Sequence, residues 1–332
     1  MPRKPARHGR LRDALIVAGV LALAGVALTD AVRGGDEPPP GAETTPTEGT
    51  TTPEDPFRSR PGVPAGGSLV VLDDDGCALR QLVVSGGQEL PLPRIETGCE
   101  LWAAPRGGLV AYALDGPYGA FKPFRIVDLS HPDEPLGTFQ TYSGVIWSLD
   151  GQRASWCHDA GRGYDLAVRG GGEPRRLRGC PAAYAPGARP AFVEGDRIVV
   201  GGETEFEASA PIRHAAWGRD DSLAVVSDVG LLERVVGGET VSSVLGVPTN
   251  VPPTLGPDSC AAAFPSGERI ELWSVCRGAD AAGTLAGTAA AWSPDGEWLA
   301  VAEGGEIVFH HLSGTLGTVR WPIHARALAW VR

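Results

Sequence analysis

The polar residues best suited to hold a ligand fall in short segments beside predicted strands. They carry imidazole, carboxylate and guanidinium groups, which can bind an ion or exchange a proton with a bound molecule. If they converge at one end of a domain, they predict a binding site at the mouth of a cavity; if they only face water, they are ordinary loop residues. The candidate binding residues are His158, Asp159, Arg213, His214, His324 and Arg326.

No linear motif of catalysis accompanies these residues. The sequence contains no G-x-S-x-G, H-E-x-x-H or P-loop pattern, and no G-x-G-x-x-G that leads into a helical pattern. The neighbours His310 and His311 would point to opposite sides of a strand, because side chains alternate along it, so they cannot share one metal ion. We therefore predict no catalytic residue, no metal site and no cofactor.

Cysteines are the other residues with chemistry of their own. An even number of them in an exported chain predicts disulfides, and six allow about 15 pairings. A metal site is the alternative, but no two cysteines have the C-x-x-C spacing of zinc ligands. The six are Cys77, Cys99, Cys157, Cys180, Cys260 and Cys276.

Composition indicates that short strands and turns position all these residues. The 332-residue chain has 46 glycines and 29 prolines but one methionine and two lysines, which gives little support to long helices. The formal net charge is −11, and residues 67–332 alone also sum to −11. An acidic domain excludes general nucleic-acid binding, which needs a basic face to neutralise phosphates.

The charge pattern of residues 1–66 indicates export. A basic cluster in residues 1–13 precedes an uncharged apolar segment, Ala14–Thr29, in the arrangement of an export signal. Residues 14–32 predict a single-pass membrane anchor with the C-terminal domain outside; cleavage after Ala31 and secretion is the alternative. Residues 33–66, rich in proline and threonine, predict a disordered linker, and residues 67–332 remain for a folded domain.

A strand–turn–strand repeat dominates that domain. At Ala290–Glu303 an apolar strand ends in Trp292, passes through a Ser-Pro-Asp-Gly turn and continues as an alternating strand. The same shape recurs at Ile146–Gly151 and at Ala216–Asp221. Each copy predicts a tight β-hairpin.

Weaker copies extend the repeat over the whole domain. Their aromatic residues are spaced by 28 to 47 residues, which brackets the period of a four-stranded propeller blade. We predict an all-β, seven-bladed β-propeller; six or eight blades are the alternatives, because the copies around two of the aromatics lack both the Trp and the Asp-Gly. The aromatic positions are Trp102, Trp147, Tyr184, Trp217, Phe264, Trp292 and Trp330.

The segment Trp292–Gly296 resembles the TolB-type propeller repeat, a relative of the WD-repeat family, and the resemblance covers about residues 67–332. It implies blades arranged around a central channel and used mainly to bind proteins or peptides. The two ends of the domain are compatible with such a ring. Ala327–Val331 has no hairpin partner and Ser68–Leu72 has no preceding aromatic strand, so pairing them completes one blade from both termini and hides two strand edges.

The propeller also restricts the disulfides. We predict the pairs Cys77–Cys99 and Cys157–Cys180 between neighbouring blades, and Cys260–Cys276 within one hairpin. Cys99, Cys180 and Cys260 would begin innermost strands, whereas the other three would lie at or after the ends of second strands. All six would then lie on one face of the disc, together with the candidate binding residues.

These observations predict an exported, membrane-tethered binding module of a bacterial cell envelope, whose ligand is a protein, a peptide or a glycan. Two alternatives stay open. One is a propeller-type hydrolase or lyase with an active site at the channel mouth, which would need converging carboxylates or a histidine beside a carboxylate. The other is a sensory ectodomain, which would require a membrane partner because only about 13 residues precede the apolar segment.

Overall fold

The computed structural model describes residues 66–85, 88–90, 92, 98–114, 121–159, 161–276, 281–312 and 318–332. Within these residues the strands form seven four-stranded antiparallel sheets, so the predicted seven-bladed propeller is confirmed. The predicted basic segment 1–13, anchor 14–32 and nearly all of the linker 33–66 lie outside the described residues. Within the described part of the chain, no helix is long and apolar enough to cross a membrane.

The strands have the following bounds. Blade 1 consists of β4 (Leu101–Ala103), β5 (Leu109–Ala113), β6 (Lys122–Asp128) and β7 (Gly137–Thr141). Blade 2 consists of β8 (Val145–Trp147), β9 (Arg153–Asp159), β10 (Arg162–Ala167) and β11 (Arg175–Arg176), with a 3-10 helix at Val168–Gly170. Blade 3 consists of β12 (Ala183–Ala185), β13 (Arg189–Glu194), β14 (Arg197–Val200) and β15 (Glu203–Glu207).

The remaining blades complete the ring. Blade 4 consists of β16 (Ile212–Trp217), β17 (Leu223–Ser227), β18 (Leu231–Val236) and β19 (Glu239–Leu245). Blade 5 consists of β20 (Thr254–Leu255), β21 (Ala261–Ser266), β22 (Arg269–Ser274) and β23 (Ala281–Ala286). Blade 6 consists of β24 (Ala289–Trp292), β25 (Trp298–Glu303), β26 (Glu306–His311) and β27 (Val319–Trp321). Blade 7 combines β28 (Ala325–Val331) with β1 (Ser68–Asp73), β2 (Leu79–Val83) and β3 (Gln88–Leu90).

The first strand of each blade is its innermost strand, and the first strands of neighbouring blades lie side by side around the channel. Because strands alternate in direction, the loops divide between two faces of the disc. One face carries the loops from first to second strands and from third to fourth strands, and we call it the AB face. The BC face carries the loops from second to third strands and from each blade to the next.

The repeated turn is stabilised by its own side chains. The Ser293 hydroxyl accepts a hydrogen bond from the Trp298 amide at 2.9 Å, and the Asp295 carboxylate accepts one from the Glu297 amide at 3.0 Å. Gly296 has φ +79°, a conformation that favours glycine. The Asp150 carboxylate accepts an equivalent bond from the Gln152 amide at 3.0 Å. The turn residues therefore set the hairpins β24–β25 and β8–β9, as predicted.

The core lies between blades, and the innermost tryptophans help to join them. The indole N–H of Trp147 donates to the carbonyl of Trp102 in blade 1 at 3.0 Å, and that of Trp292 donates to the carbonyl of Thr254 in blade 5 at 2.9 Å. Both tryptophans are buried. They therefore combine apolar burial with a satisfied polar atom.

The two ends of the domain close the ring as predicted. Strand β28 pairs with β1 in antiparallel register, with Ser68 opposite Val331 and Leu72 opposite Ala327. Blade 7 thus takes its innermost strand from the C-terminal part of the domain and its other three from the N-terminal part. The pairing covers the edge of β1 that would otherwise be exposed.

The predicted place of Phe264 on an innermost strand is wrong. Phe264 is fully buried on β21, the second strand of blade 5. The innermost strand there is the two-residue β20, which follows Pro252 and Pro253 and carries no aromatic residue. Proline cannot donate to a strand ladder, so the segment pairs only briefly and leaves no repeat pattern in the sequence.

All three predicted disulfides are present, but they do not share one face. Cys77–Cys99 and Cys157–Cys180 join neighbouring blades on the BC face, as predicted. Cys260 precedes β21 and Cys276 follows β22, so their disulfide spans the base of a hairpin on the AB face. The error follows from Phe264, because moving that residue to the second strand reverses the direction of the strand next to Cys260. Three disulfides are typical of an oxidising, extracytoplasmic compartment.

Candidate functional site

The six predicted binding residues all lie toward the BC face, but the fold does not gather them. His158 and Asp159 end β9 in blade 2, whereas Arg213 and His214 lie near the start of β16 in blade 4. His324 and Arg326 lie beside the start of β28, at the junction of blades 6 and 7. Three separate pairs therefore replace the single cluster that a common site would require.

The pair in blade 2 belongs to a surface patch away from the channel. The His158 ring lies 5.6 Å from the ring of Phe121 and 5.8 Å from that of Tyr164, measured between centroids. Phe121 in turn contacts Tyr142, whose side chain is exposed. Asp159 forms an ion pair with Arg162.

Arg213 and His214 instead line the central channel. There the innermost strands and AB-face turns enclose a cavity of about 450 Å³, to which all seven blades contribute at least one residue. Trp217, Trp292 and Trp330 are among the residues that line it. The size is suitable for a small organic molecule.

The charged lining of this cavity is cationic. Arg213, His214 and Arg219 line it, and carboxylates are absent from the described residues that do so. Burial and the neighbouring Arg213 lower the pKa of His214, so its imidazole is neutral at pH 7. Arginine stays protonated in proteins, so the two guanidinium groups keep their charge. An anion would therefore be attracted into the channel.

Arg219 was missed by the sequence prediction, which considered only BC-face residues. It lies in the β16–β17 turn, and its guanidinium donates a hydrogen bond to the carbonyl of Pro294 in blade 6. Burial and the nearby charges of Arg332 and Arg106 lower the pKa of Arg219. All three arginines lie on the AB face, because Arg332 follows β28 and Arg106 lies between β4 and β5. Arg106 and Arg219 also line an adjoining recess of about 220 Å³, together with the carboxylates Asp150 and Asp221.

A sequence signal for Arg219 does exist. It stands two residues after the aromatic residue of its innermost strand, and the residues at the same position after Trp147 and Trp292 are Leu149 and Pro294. All three line the cavity. In these three copies the turn position faces the channel, whereas Ala104 and Pro186, at the same position after Trp102 and Tyr184, do not line the cavity.

Metal binding has no candidate site here. Among the residues that the structure describes, no three histidine, cysteine, aspartate or glutamate side chains come together to hold an ion. His310 forms a contact with Glu303 at 3.8 Å, and the ring of His311 packs against Trp298. The two histidines thus have different neighbours, as expected for adjacent residues on one strand.

Comparison with known proteins identifies the fold but no family. No family model matches the chain, and no curated protein matches it. A functionally unknown protein from Desulfotomaculum acetoxidans DSM 771 is 10% identical in its crystal structure, with a TM-score of 0.54 over 80% of this chain and 99% of that one. The β-propeller domain of Myceliophteria thermophila Cps50 (Swd1) is 12% identical, with a TM-score of 0.47 over 72% of this chain and 90% of that one. At such identities the likeness concerns the fold alone.

Proposed function

We propose that this protein is a binding module that takes up a small organic anion in the central channel. The observation that supports this proposal is the charge of the channel. In a domain whose formal charge is −11, Arg213 and Arg219 line a cavity of about 450 Å³ whose other lining residues include three tryptophans. Guanidinium groups bind carboxylates and phosphates through paired hydrogen bonds, and the surrounding apolar wall strengthens these interactions by excluding water.

The proposal includes the setting of the module. The N-terminal basic and apolar segments and the three disulfides support an exported domain that is tethered to a bacterial membrane. The repeat at Trp292–Gly296 supports a place near the TolB-type propellers. Binding is better supported than hydrolysis or lyase chemistry, because arginine, and not an acid–base pair, supplies the charged groups of the cavity.

Ligand binding is tested by thermal unfolding with a panel of dicarboxylates, phosphomonoesters and uronic acids. We expect at least one anion to stabilise the wild-type protein, by about 2.7 kcal/mol when its concentration is 100 times the Kd. Arg213→Ala should weaken binding by at least tenfold, because it removes a charge at the cavity without breaking a described hydrogen bond. Arg269→Ala, an exposed arginine on β22, is the matched control and should bind normally. Equal binding by Arg213→Ala, or no stabilisation by any anion, would refute the channel site.

The setting is tested separately by fractionation of bacteria that express the full chain. We expect the protein in the membrane fraction, with the domain digestible by protease added outside the cytoplasmic membrane. N-terminal sequencing should find residues 1–32 retained. A soluble secreted protein that begins near residue 32 would contradict the tether while leaving export intact.

A further inference from the structure

A second cationic site lies between blades 2 and 3, away from the channel. It is a groove of about 550 Å³ that shares no lining residue with the channel cavity. Its apolar lining includes Leu177, Pro190 and Phe192, and carboxylates are absent from the described residues that line it. Five arginines surround it, and we call it the arginine groove; they are Arg153, Arg175, Arg176, Arg178 and Arg189.

Part of this charge is already neutralised by the fold. Arg153 and Arg175 both contact the carboxylate of Asp165, whose side chain is completely buried. Tyr184 also donates to Asp165 at 2.6 Å, so this carboxylate has three partners and joins blade 2 to blade 3. These contacts position the wall of the groove, and they leave most of the Arg175 side chain, 66% of it, exposed.

The other three arginines are available to a partner. Arg178 and Arg189 have only distant ion pairs, at 3.8 Å with Glu194 and at 3.5 Å with Glu205. Arg189 also donates from Nε to the carbonyl of Pro186 at 3.2 Å, and more than half of each arginine side chain is exposed. Arg176 is exposed and has no ion pair among the described residues. The guanidinium of Arg178 lies 5.3 Å from the centre of the Phe192 ring, a cation–π contact that holds it at the groove.

The groove also contains a free sheet edge. Strand β11, which carries Arg175 and Arg176, is the outermost strand of blade 2 and pairs only with β10. Beside it, the amide of Leu177 donates inward to the carbonyl of Gly163 at 2.8 Å. In an antiparallel ladder the bonding direction alternates, so the backbone of Arg176 faces outward, where an extended peptide could pair with it.

We propose that the arginine groove binds an extended acidic segment of a partner protein, which adds a strand to the edge of β11 and places its carboxylates on Arg176, Arg178 and Arg189. Carboxylates match the planar forks of arginine, and only a polypeptide can also satisfy the main-chain groups of the edge. The apolar lining accepts the intervening side chains. This site does not depend on the channel proposal, because the two cavities have separate residues.

The test uses the purified full chain and a fluorescein-labelled peptide of five Glu-Val repeats. Binding of the peptide is measured by fluorescence anisotropy at low salt. We expect binding that weakens as salt is raised, because exposed charges are screened. Arg176→Glu should weaken it by about tenfold or more, and Arg176→Lys by less, since lysine keeps the charge but loses the fork. Arg269→Glu, which reverses an exposed charge on blade 5, should change binding by less than about twofold.

Further probes separate a peptide from other anions. The same peptide with every backbone nitrogen methylated keeps its charge but has no N–H on either edge to donate to β11, so we expect it to bind at least tenfold more weakly. A Gln-Val peptide should not bind. Equal effects of Arg176→Glu and Arg269→Glu, undiminished binding of the methylated peptide, or no binding of the Glu-Val peptide would overturn the proposal. Stronger binding of a sulfated decasaccharide, sensitive to Arg176→Glu, would reassign the groove to a polyanionic glycan.

Discussion

Individual side chains hold this propeller together at the joints between blades. Asp165 is the most constrained of them, because it lies fully buried and accepts hydrogen bonds from Arg153, Arg175 and Tyr184. Although burial alone would raise its pKa, hydrogen bonds from Arg153 and Tyr184 and the charges of the two arginines lower it. Burial raises the pKa of Tyr184, which keeps its hydroxyl protonated as a donor. This network therefore requires an ionised Asp165.

The first prediction concerns Asp165→Asn. We expect a loss of about 3–5 kcal/mol of unfolding free energy at pH 7, because the arginine charges lose a buried partner. The pKa of Asp165 in the folded protein lies below its value of about 4 in the unfolded chain. The stabilisation by Asp165 is therefore fully present above about pH 4 and is lost as the pH falls through the folded pKa. Urea unfolding from pH 7 down to pH 3 should show the difference between wild type and variant shrinking below about pH 4.

The control for that experiment is Asp159→Asn. Asp159 also pairs with an arginine, Arg162, but on the surface. Exposed ion pairs contribute only about 0–1 kcal/mol. If Asp159→Asn lost as much unfolding free energy as Asp165→Asn, the loss would not depend on burial of the carboxylate, and the prediction would be wrong.

The second prediction concerns the innermost tryptophans. Trp292→Ala should cost about 3–5 kcal/mol, because it leaves a cavity between blades 5 and 6. Trp292→Phe should cost less, about 1–3 kcal/mol, because it keeps most of the packing but leaves the carbonyl of Thr254 without its donor. Equilibrium unfolding measures both. Equal losses for the two variants would mean that packing contributes nothing beyond the hydrogen bond.

At the scale of elements, hairpins and disulfides determine how the blades meet. The repeated Ser-x-Asp-Gly turns set β8–β9 and β24–β25 locally, and two disulfides then connect neighbouring blades on the BC face. The third closes one hairpin on the AB face. The blades are therefore linked covalently at two joints, whereas the other joints depend on packing and hydrogen bonds.

The third prediction compares two pairs of serine substitutions. Cys77→Ser with Cys99→Ser, and Cys260→Ser with Cys276→Ser, should each lower stability by about 3 kcal/mol, since the closed loops span 22 and 16 residues. Hydrogen exchange should distinguish them. The first pair should speed exchange in β1 and β4, on both sides of a joint between blades, and the second only in β21 and β22. Faster exchange across blade 5 and its neighbours in the second variant would contradict its placement within one hairpin.

At the scale of the whole molecule, ring closure sets both stability and the site. Blade 7 exists only when β28 pairs with β1, and Trp330 on β28 then forms part of the channel wall. The channel cavity takes residues from every blade, so it forms only in the closed ring. An open ring would also expose the edges of β1 and of its neighbours.

Ending the chain at residue 324 removes β28. We expect aggregation on size-exclusion chromatography and loss of the cooperative thermal transition, because the inner edge of β1 becomes exposed. A synthetic peptide of residues 325–332, added during refolding, should restore part of the transition by pairing with β1. A monomeric truncated chain with an unchanged Tm would show that closure is dispensable.

The amino-acid sequence alone predicted the features that depend on near neighbours. The alternation of strands, the turn at Trp292–Gly296 and the disulfide pairs all connect residues close in the chain, so their geometry depends on a few residues, one blade or two neighbouring blades. The number of blades followed because six of the seven aromatics, Trp102 and Trp330 among them, do lie on innermost strands. Phe264 misled the prediction, because a buried second strand carries the same local pattern as an innermost one.

Tertiary structure alone decided which distant charges meet. Arg213 and Arg219 reach a common cavity with residues of six other blades, and Arg153, Arg176 and Arg189 form one groove although two blades supply them. No spacing in the sequence encodes such contacts, because they depend on the angle between blades and on the closure of the ring. The same reason explains why one face, but not one site, contains His158, Arg213 and His324. The face on which a residue lies follows from strand direction, which the sequence indicates. The distance between residues on that face follows from the packing of the blades.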